Sequence, residues 1–102
     1  MDARFHPPSA FGLALGSTHL VRNAGGVARE ALGSIRVSQD KLGTDELLLI
    51  KHTDCGAYPG GGPEELEAAV VEDVNFLRGE NVKGSISGWL YDVKTGGVKR
   101  II

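Results

Sequence analysis

One cysteine, one tryptophan and one methionine occur in 102 residues, and aromatic side chains make up only 6% of the chain. A lone Cys55 cannot form an internal disulfide, so a reducing, cytoplasmic compartment is the expectation. No uninterrupted apolar run is longer than Leu47–Ile50, far too short to span a membrane. No charged segment followed by an apolar stretch opens the chain, so a secretory leader is not expected. Polybasic runs are missing as well. Eleven Lys and Arg face thirteen Asp and Glu, a formal net charge of −2, which argues against nucleic acid or an anionic membrane as the main partner. Neither a G-x-G-x-x-G turn nor a G-K-[ST] loop is present, so a nucleotide is not the expected ligand. Internal repeats at periods of 20–50 residues are also absent.

Glycine is the residue in excess: fifteen, about twice the usual share. They gather at Gly25-Gly26, Gly60–Gly62 and Gly96-Gly97, between segments of readable periodicity, and so punctuate a fold. The length fits one domain, residues 1–102. Met1 to Gly16 reads as irregular, with Pro7-Pro8 barring a helix interior. Thr18–Arg22 reads as a short strand. Val27, Ala31, Ile35 and Leu42 fall on one face of a helix that Gly43 caps. Leu47–Ile50, apolar without alternation, predicts a strand buried on both faces, as in parallel sheets covered by helices. Pro63-Glu64-Glu65 opens a second helix with buried stripe Leu66, Val70, Val74 and Leu77, stopped at Gly79. Val82–Val93 reads as a strand, and Val98–Ile102 pairs back on it across Lys94–Gly97. The fold class expected is α/β: a mostly parallel sheet flanked by helices, with an antiparallel C-terminal edge hairpin. Ligands in such sheets sit beyond the carboxyl ends of strands, here Asn23–Gly26 and His52–Gly56.

Three constellations are candidates for chemistry, two of them at these ends. His52-x-x-Cys55 places an imidazole and a thiol where both can reach one Zn²⁺; the plainer reading is a buried apolar cysteine beside a strand-end histidine. Asp2 and Arg4 point the same way from extended chain, so Arg4 can hold Asp2 as an acceptor-only carboxylate; the plainer reading is a solvated ion pair. Asn23–Gly26 offers backbone N–H groups to an anion, although close helix–sheet packing accounts for its glycines equally well. His6 lies near enough in sequence to assist Asp2 and Arg4 but reads as structural, like His19. Trp89 and Tyr91 share a strand face and read as core or subunit contact.

Together these segments are more specific than any one of them. Asp2-Ala3-Arg4, Thr18-His19-Leu20-Val21-Arg22-Asn23-Ala24-Gly25-Gly26, Ile50-Lys51-His52-Thr53-Asp54-Cys55-Gly56, Glu72-Asp73-Val74 and Gly88–Gly96 occur in an order that closely resembles the β-class carbonic anhydrases, above all their small prokaryotic and fungal clade. The resemblance implies a parallel-centred α/β fold, dimers as the basic unit, and zinc held by Cys, His and a second Cys. His52 and Cys55 match the latter two ligands, and Asp2 and Arg4 match the end of the family's C-x-D-x-R pattern. In the family that Asp–Arg pair orients the zinc-bound water, and in some members the Asp swings onto the metal. The implied reaction is attack of zinc-bound hydroxide on carbon dioxide, giving bicarbonate. Relatives on the scaffold hydrolyse carbonyl sulfide or carbon disulfide.

The family's first zinc-ligand Cys would stand immediately before Met1, together with a strand and N-terminal helices that this sequence does not contain. The segment between Cys55 and Glu72 is also shorter than in relatives. An N-terminally shortened domain is therefore expected, with Asp2, or less directly the Met1 α-amino group, as substitute third ligand. The expectation is weaker zinc binding and lower activity than in an intact relative, or a remnant that only dimerises. Losing a central strand also leaves two sheet edges uncovered. A homodimer or larger homo-oligomer is expected, in which a partner chain or a rearranged N-terminal segment fills the gap.

Overall fold

A computed structural model describes all 102 residues. Three strands form one sheet in the order β1 (Glu46–His52), β2 (Ser85–Tyr91), β3 (Val98–Arg100). β1 and β2 run parallel, with Glu46 opposite Ser85 and His52 opposite Tyr91; β2 and β3 are antiparallel. The α/β class, the parallel pair and the antiparallel edge hairpin expected from the sequence are all present. No helix is long and apolar enough to cross a membrane.

Two shorter helices, α1 (Pro7–Phe11) and α2 (Ala28–Arg36), precede β1. The long helix α3 (Pro63–Gly79) crosses from β1 to β2 and supplies the largest fully buried side chains of the core. Its stripe Leu66, Val70, Val74 and Leu77 is fully buried, as the helical spacing predicts. Val70 and Val74 seat directly on β2 at Gly88, where any Cβ would collide with both valines. Gly88 thus sets how closely helix and sheet approach. Gly79 is the last helical residue, and the left-handed turn that stops the helix falls at Asn81, with φ 58°.

Elsewhere the structure departs from the sequence reading. The first stretch is not wholly irregular: α1 begins at the two prolines, where a missing N–H costs nothing, and Gly12 caps it at φ 63°. The helix expected to open at Val27 is α2, and a π-turn at Val37–Lys41 extends it. A π-turn inserts one residue into the helical repeat, so the residues after it rotate off the stripe. Leu42, expected on the buried face, is exposed for that reason.

Thr18–Arg22 is the main correction to the predicted topology. The segment lies outside any helix or strand, and its main chain forms no backbone hydrogen bond. Its strand-like composition is real, but no strand of this chain lies beside it to close a ladder. Val82–Val93 likewise shortens to β2, because Gly84 turns at φ 73° against the Asp45 carbonyl before pairing begins.

Two exposed turns respond to acid. The Lys94 N–H, and then the Thr95 N–H, bond to the Asp92 carboxylate at 2.8 and 3.3 Å and hold its pKa below the usual carboxylate range. The ammonium of Lys83 does the same for Asp40 at 2.8 Å. A carboxyl depressed in the folded chain stabilises it fully above its unfolded pKa of about 3.9, and that contribution is lost as pH falls through the lower folded value. Asp92→Asn retains the acceptor oxygen without the titration. Thermal melts from neutral pH to acid should therefore show a shallower loss of stability for Asp92→Asn than for the parent; parallel curves would refute the assignment.

Candidate active site

β1 delivers His52 to its carboxyl end, and the loop beyond it is fixed from both sides. Thr53 N–H donates to the Tyr91 carbonyl at 2.8 Å, and Val93 N–H donates to Thr53 Oγ1 at 3.1 Å. Asp54 adopts the left-handed conformation, φ 51°, which a short polar side chain tolerates best. Cys55 is 7% exposed and packs on Leu66 and Leu90. His52 Nδ1 lies 2.8 Å from the Thr53 carbonyl. A carbonyl can only accept, so Nδ1 is the donor in this contact and Nε2 is the ring nitrogen left to face Asp2.

The N-terminal arm brings Asp2 to that nitrogen. Asp2 Oδ2 stands 3.8 Å from His52 Nε2. Arg4 grips the same carboxylate, Nη2 to Oδ2 at 2.7 Å and Nε to Oδ1 at 3.1 Å, while its own backbone N–H donates to Oδ1 at 2.8 Å. Its remaining donors cross to the loop, Nη1 to Asp54 Oδ2 and Nη2 to the Asp54 carbonyl, both at 2.9 Å. The Arg4 side chain, then its backbone N–H, hold the Asp2 carboxyl well below the usual carboxylate range. The two carboxylates in turn raise the Arg4 guanidinium, and Arg4 lowers Asp54. Asp2 and Arg4 are therefore more than a solvated terminal pair: they bridge two segments 50 positions apart.

Arg22, a residue outside the predicted set, holds the arm down together with the Met1 amino group, which is spent on a carbonyl. Arg22 Nη2 donates to the carbonyls of Asp2 and Phe5 at 2.7 and 2.6 Å, and the Met1 amino group donates to the Asn23 carbonyl at 3.3 Å. Partial burial first, then the charge of Arg22, lowers the Met1 amino pKa. Phe5 stacks on Tyr91 at 4.4 Å, and Phe11 meets Trp89 edge-on at 5.8 Å, so those two aromatics are spent inside the chain.

Behind the loop, the Lys51 ammonium is buried and donates to the Gly25 and Gly26 carbonyls and to Asp73 Oδ2 at 2.8, 2.9 and 2.9 Å. This removes Asn23–Gly26 as an anion cradle. Val27 N–H is taken by Asn23 Oδ1 and Ala28 N–H by Asp73, and the turn's carbonyls face a cation. Lys51 escaped the sequence reading, although a lysine inside an otherwise apolar two-sided strand was the available signal. His6 does not join the site: it caps α1, its Nδ1 2.8 Å from Ser9 Oγ. His19 is bonded to Ser38 Oγ at 2.6 Å.

Against known families, residues 1–75 match the carbonic anhydrase model. "Beta-carbonic anhydrase 1" of Mycobacterium tuberculosis is 31% identical over 126 residues, covering 99% of this chain and 77% of the relative. This chain belongs to the β-carbonic anhydrase family. The solved structure of the carbonic anhydrase from Glaciozyma antarctica superposes with a TM-score of 0.87 at 34% identity, over all of this chain and 78% of that one. A carbon disulfide hydrolase of Saccharolobus solfataricus is 38% identical over 65 residues, 63% of this chain and 32% of that protein.

The zinc implied by membership of the β-carbonic anhydrases can be tested against the donors present. His52 and Cys55 offer one nitrogen and one sulfur, a pairing zinc accepts. No three His, Cys, Asp or Glu side chains converge as a metal-binding group. The nearest third donor, Asp2, has both oxygens engaged by Arg4. The donor set fits two positions of a three-ligand site and leaves the third unassembled.

Proposed function

We propose that this chain is a weak, zinc-dependent member of the β-carbonic anhydrases, acting on carbon dioxide and bicarbonate through His52, Cys55, Asp2 and Arg4. The observation that supports this reading best is the approach of Asp2 Oδ2 to His52 Nε2, with Arg4 holding that carboxylate ionised. Zinc, when bound, would acidify a coordinated water toward a pKa of ~7. His52 and Cys55 would hold the metal. Asp2, as an acceptor-only carboxylate, can take the O–H of a water beside the imidazole and turn its lone pair toward a linear substrate. Alternatively Asp2 becomes the third ligand, and then it must release Oδ2 from Arg4. It cannot fill both roles at once, which is why weak metal binding and low turnover belong to the proposal.

Zinc uptake by equilibrium dialysis tests this. The parent should bind zinc saturably, approaching one per chain at excess metal. His52→Ala and Cys55→Ser should each weaken uptake at least roughly tenfold, since even outer-shell partners of metal ligands cost that much. Uptake no better in the parent than in the double variant would refute the reading.

A second reading keeps the scaffold and exchanges oxygen for sulfur in the substrate, carbonyl sulfide or carbon disulfide. The match to a carbon disulfide hydrolase supports it. Sulfide release measured beside carbon dioxide hydration separates the two. A protein that folds and self-associates while failing both assays would be the non-catalytic remnant. A homodimer or larger homo-oligomer belongs to the proposal too, supported by the exposed Val37 and Leu42 on the outer side of α2 and its π-turn.

A further inference from the structure

Just past His52 the parallel ladder between β1 and β2 is altered at one rung. In such a ladder a residue donates its N–H to one carbonyl of the partner strand. Its own carbonyl accepts from the residue two places further along that strand. Thr53 keeps the first half: its N–H donates to the Tyr91 carbonyl at 2.8 Å, one rung beyond the pairing of His52 with Tyr91. The second half is exchanged. Val93, two places past Tyr91, donates its N–H to Thr53 Oγ1 at 3.1 Å, where a regular ladder would offer it the Thr53 carbonyl. The carbonyl released in this way lies 2.8 Å from His52 Nδ1. A side-chain hydroxyl stands in for a main-chain acceptor, and the main-chain acceptor is spent on an imidazole.

We infer that Thr53 is the positioning residue for His52: its hydroxyl keeps the Thr53 carbonyl out of the ladder, and that carbonyl holds the imidazole with Nε2 toward Asp2. The purpose of this role rests on the zinc reading above, in which His52 is a ligand; its geometry does not. A ring tied through one nitrogen presents the other in a fixed direction. The far end of the same peptide is held too, because Arg4 donates to the Asp54 carboxylate and the Asp54 carbonyl, both at 2.9 Å. Removing the hydroxyl makes two donors compete for one carbonyl. The Val93 N–H is partly buried, and a screened main-chain donor does not stay unpaired. It reclaims the Thr53 oxygen for β2, and the imidazole loses its anchor.

Nitrogen-resolved NMR of the metal-free protein tests this, read at the His52 ring and at the Val93 amide. In the parent the His52 Nδ1 proton should be visible and slow to exchange with water; its absence there would overturn the inference. Thr53→Val keeps the shape of the side chain and removes the oxygen. It should lose the Nδ1 signal while the Val93 amide stays protected, because the ladder closes by one more rung. Thr53→Ser keeps the oxygen and should keep the signal. Adding Val93→Pro to Thr53→Val deletes the competing donor and should bring the signal back, since proline suits the start of the turn at Val93–Thr95. Zinc uptake should follow the same order, weakening roughly tenfold in Thr53→Val and recovering in the other two. A merely structural Thr53 would show as lost Val93 protection with the ring unchanged, and that result would overturn the inference. So would an Nδ1 signal that survives Thr53→Val or fails to return in the folded double variant. A parent that takes up no zinc refutes the metal reading alone, and the ring signals still decide the role of Thr53.

Discussion

Lys51→Met should lower the unfolding free energy by roughly 3 kcal/mol, the lower end of what is lost when one partner leaves a buried ion pair. The Lys51 side chain is 1% exposed, and its three ammonium protons meet three acceptors: two carbonyls of the Gly25-Gly26 turn and Asp73. Methionine fills much the same volume but donates nothing. It leaves two carbonyls without that donor and Asp73 with only the Ala28 N–H. The partial exposure of Asp73 lets water compensate in part, which keeps the effect from the top of the range. Adding Asp73→Leu should restore a share of the loss, because no charge is then left without its partner. Urea unfolding of the parent, both single variants and the double variant reads the coupling directly. A Lys51→Met loss within the ordinary surface range would show that the network is dispensable.

A second large effect is expected one layer deeper. Leu66 is completely buried and packs with Cys55 and Leu90, directly beneath the proposed zinc loop. Leu66→Ala removes three buried carbons and leaves a cavity, at a cost of about 2–5 kcal/mol. For a domain of this size each kcal/mol moves the melting temperature by ~4–8 °C, so a fall of at least ~8 °C should be seen by calorimetry. Zinc uptake should weaken as well, measured below the melting transition, since the floor under Cys55 is gone. Unchanged melting would mean that the site collapses around the alanine. Unchanged zinc uptake with lowered melting would mean that the loop holds Cys55 without Leu66.

Periodicity carries the parts of this fold that local chemistry decides. The α3 stripe is readable because four apolar residues at helical spacing have one way to be buried together. β1 is readable as a strand from its four consecutive apolar residues, but the cover expected on both faces is not there: Leu49 is buried whereas Leu48, on the opposite face, is exposed. His52, Cys55, Asp2 and Arg4 can be singled out from residue type and spacing, but not their relation, which depends on Arg4 reaching across to Asp54. Thr18–Arg22 misleads for the opposite reason. Its composition favours a strand, yet a strand exists only with a neighbour, and neighbours are not a local property. Leu42 misleads because a single extra residue in a helical turn is invisible in composition. Lys51 is passed over because a charged residue in an apolar run reads as the end of the run, whereas here it is its anchor.

The Arg4 fork also has a kinetic meaning. β1, α3 and β2 form from a continuous stretch, residues 46–91, whereas Arg4 must find Asp54 across a separation of 50 positions. That separation is little more than the 39 positions between Glu46 and Ser85, so what sets the arm apart is not its loop length but the exposure of its contacts. Arg4 and Asp54 are solvent-facing, and segments held by exposed contacts open with less free energy than the core. The proposed chemistry thus hangs on contacts that are surrendered early when the chain begins to open.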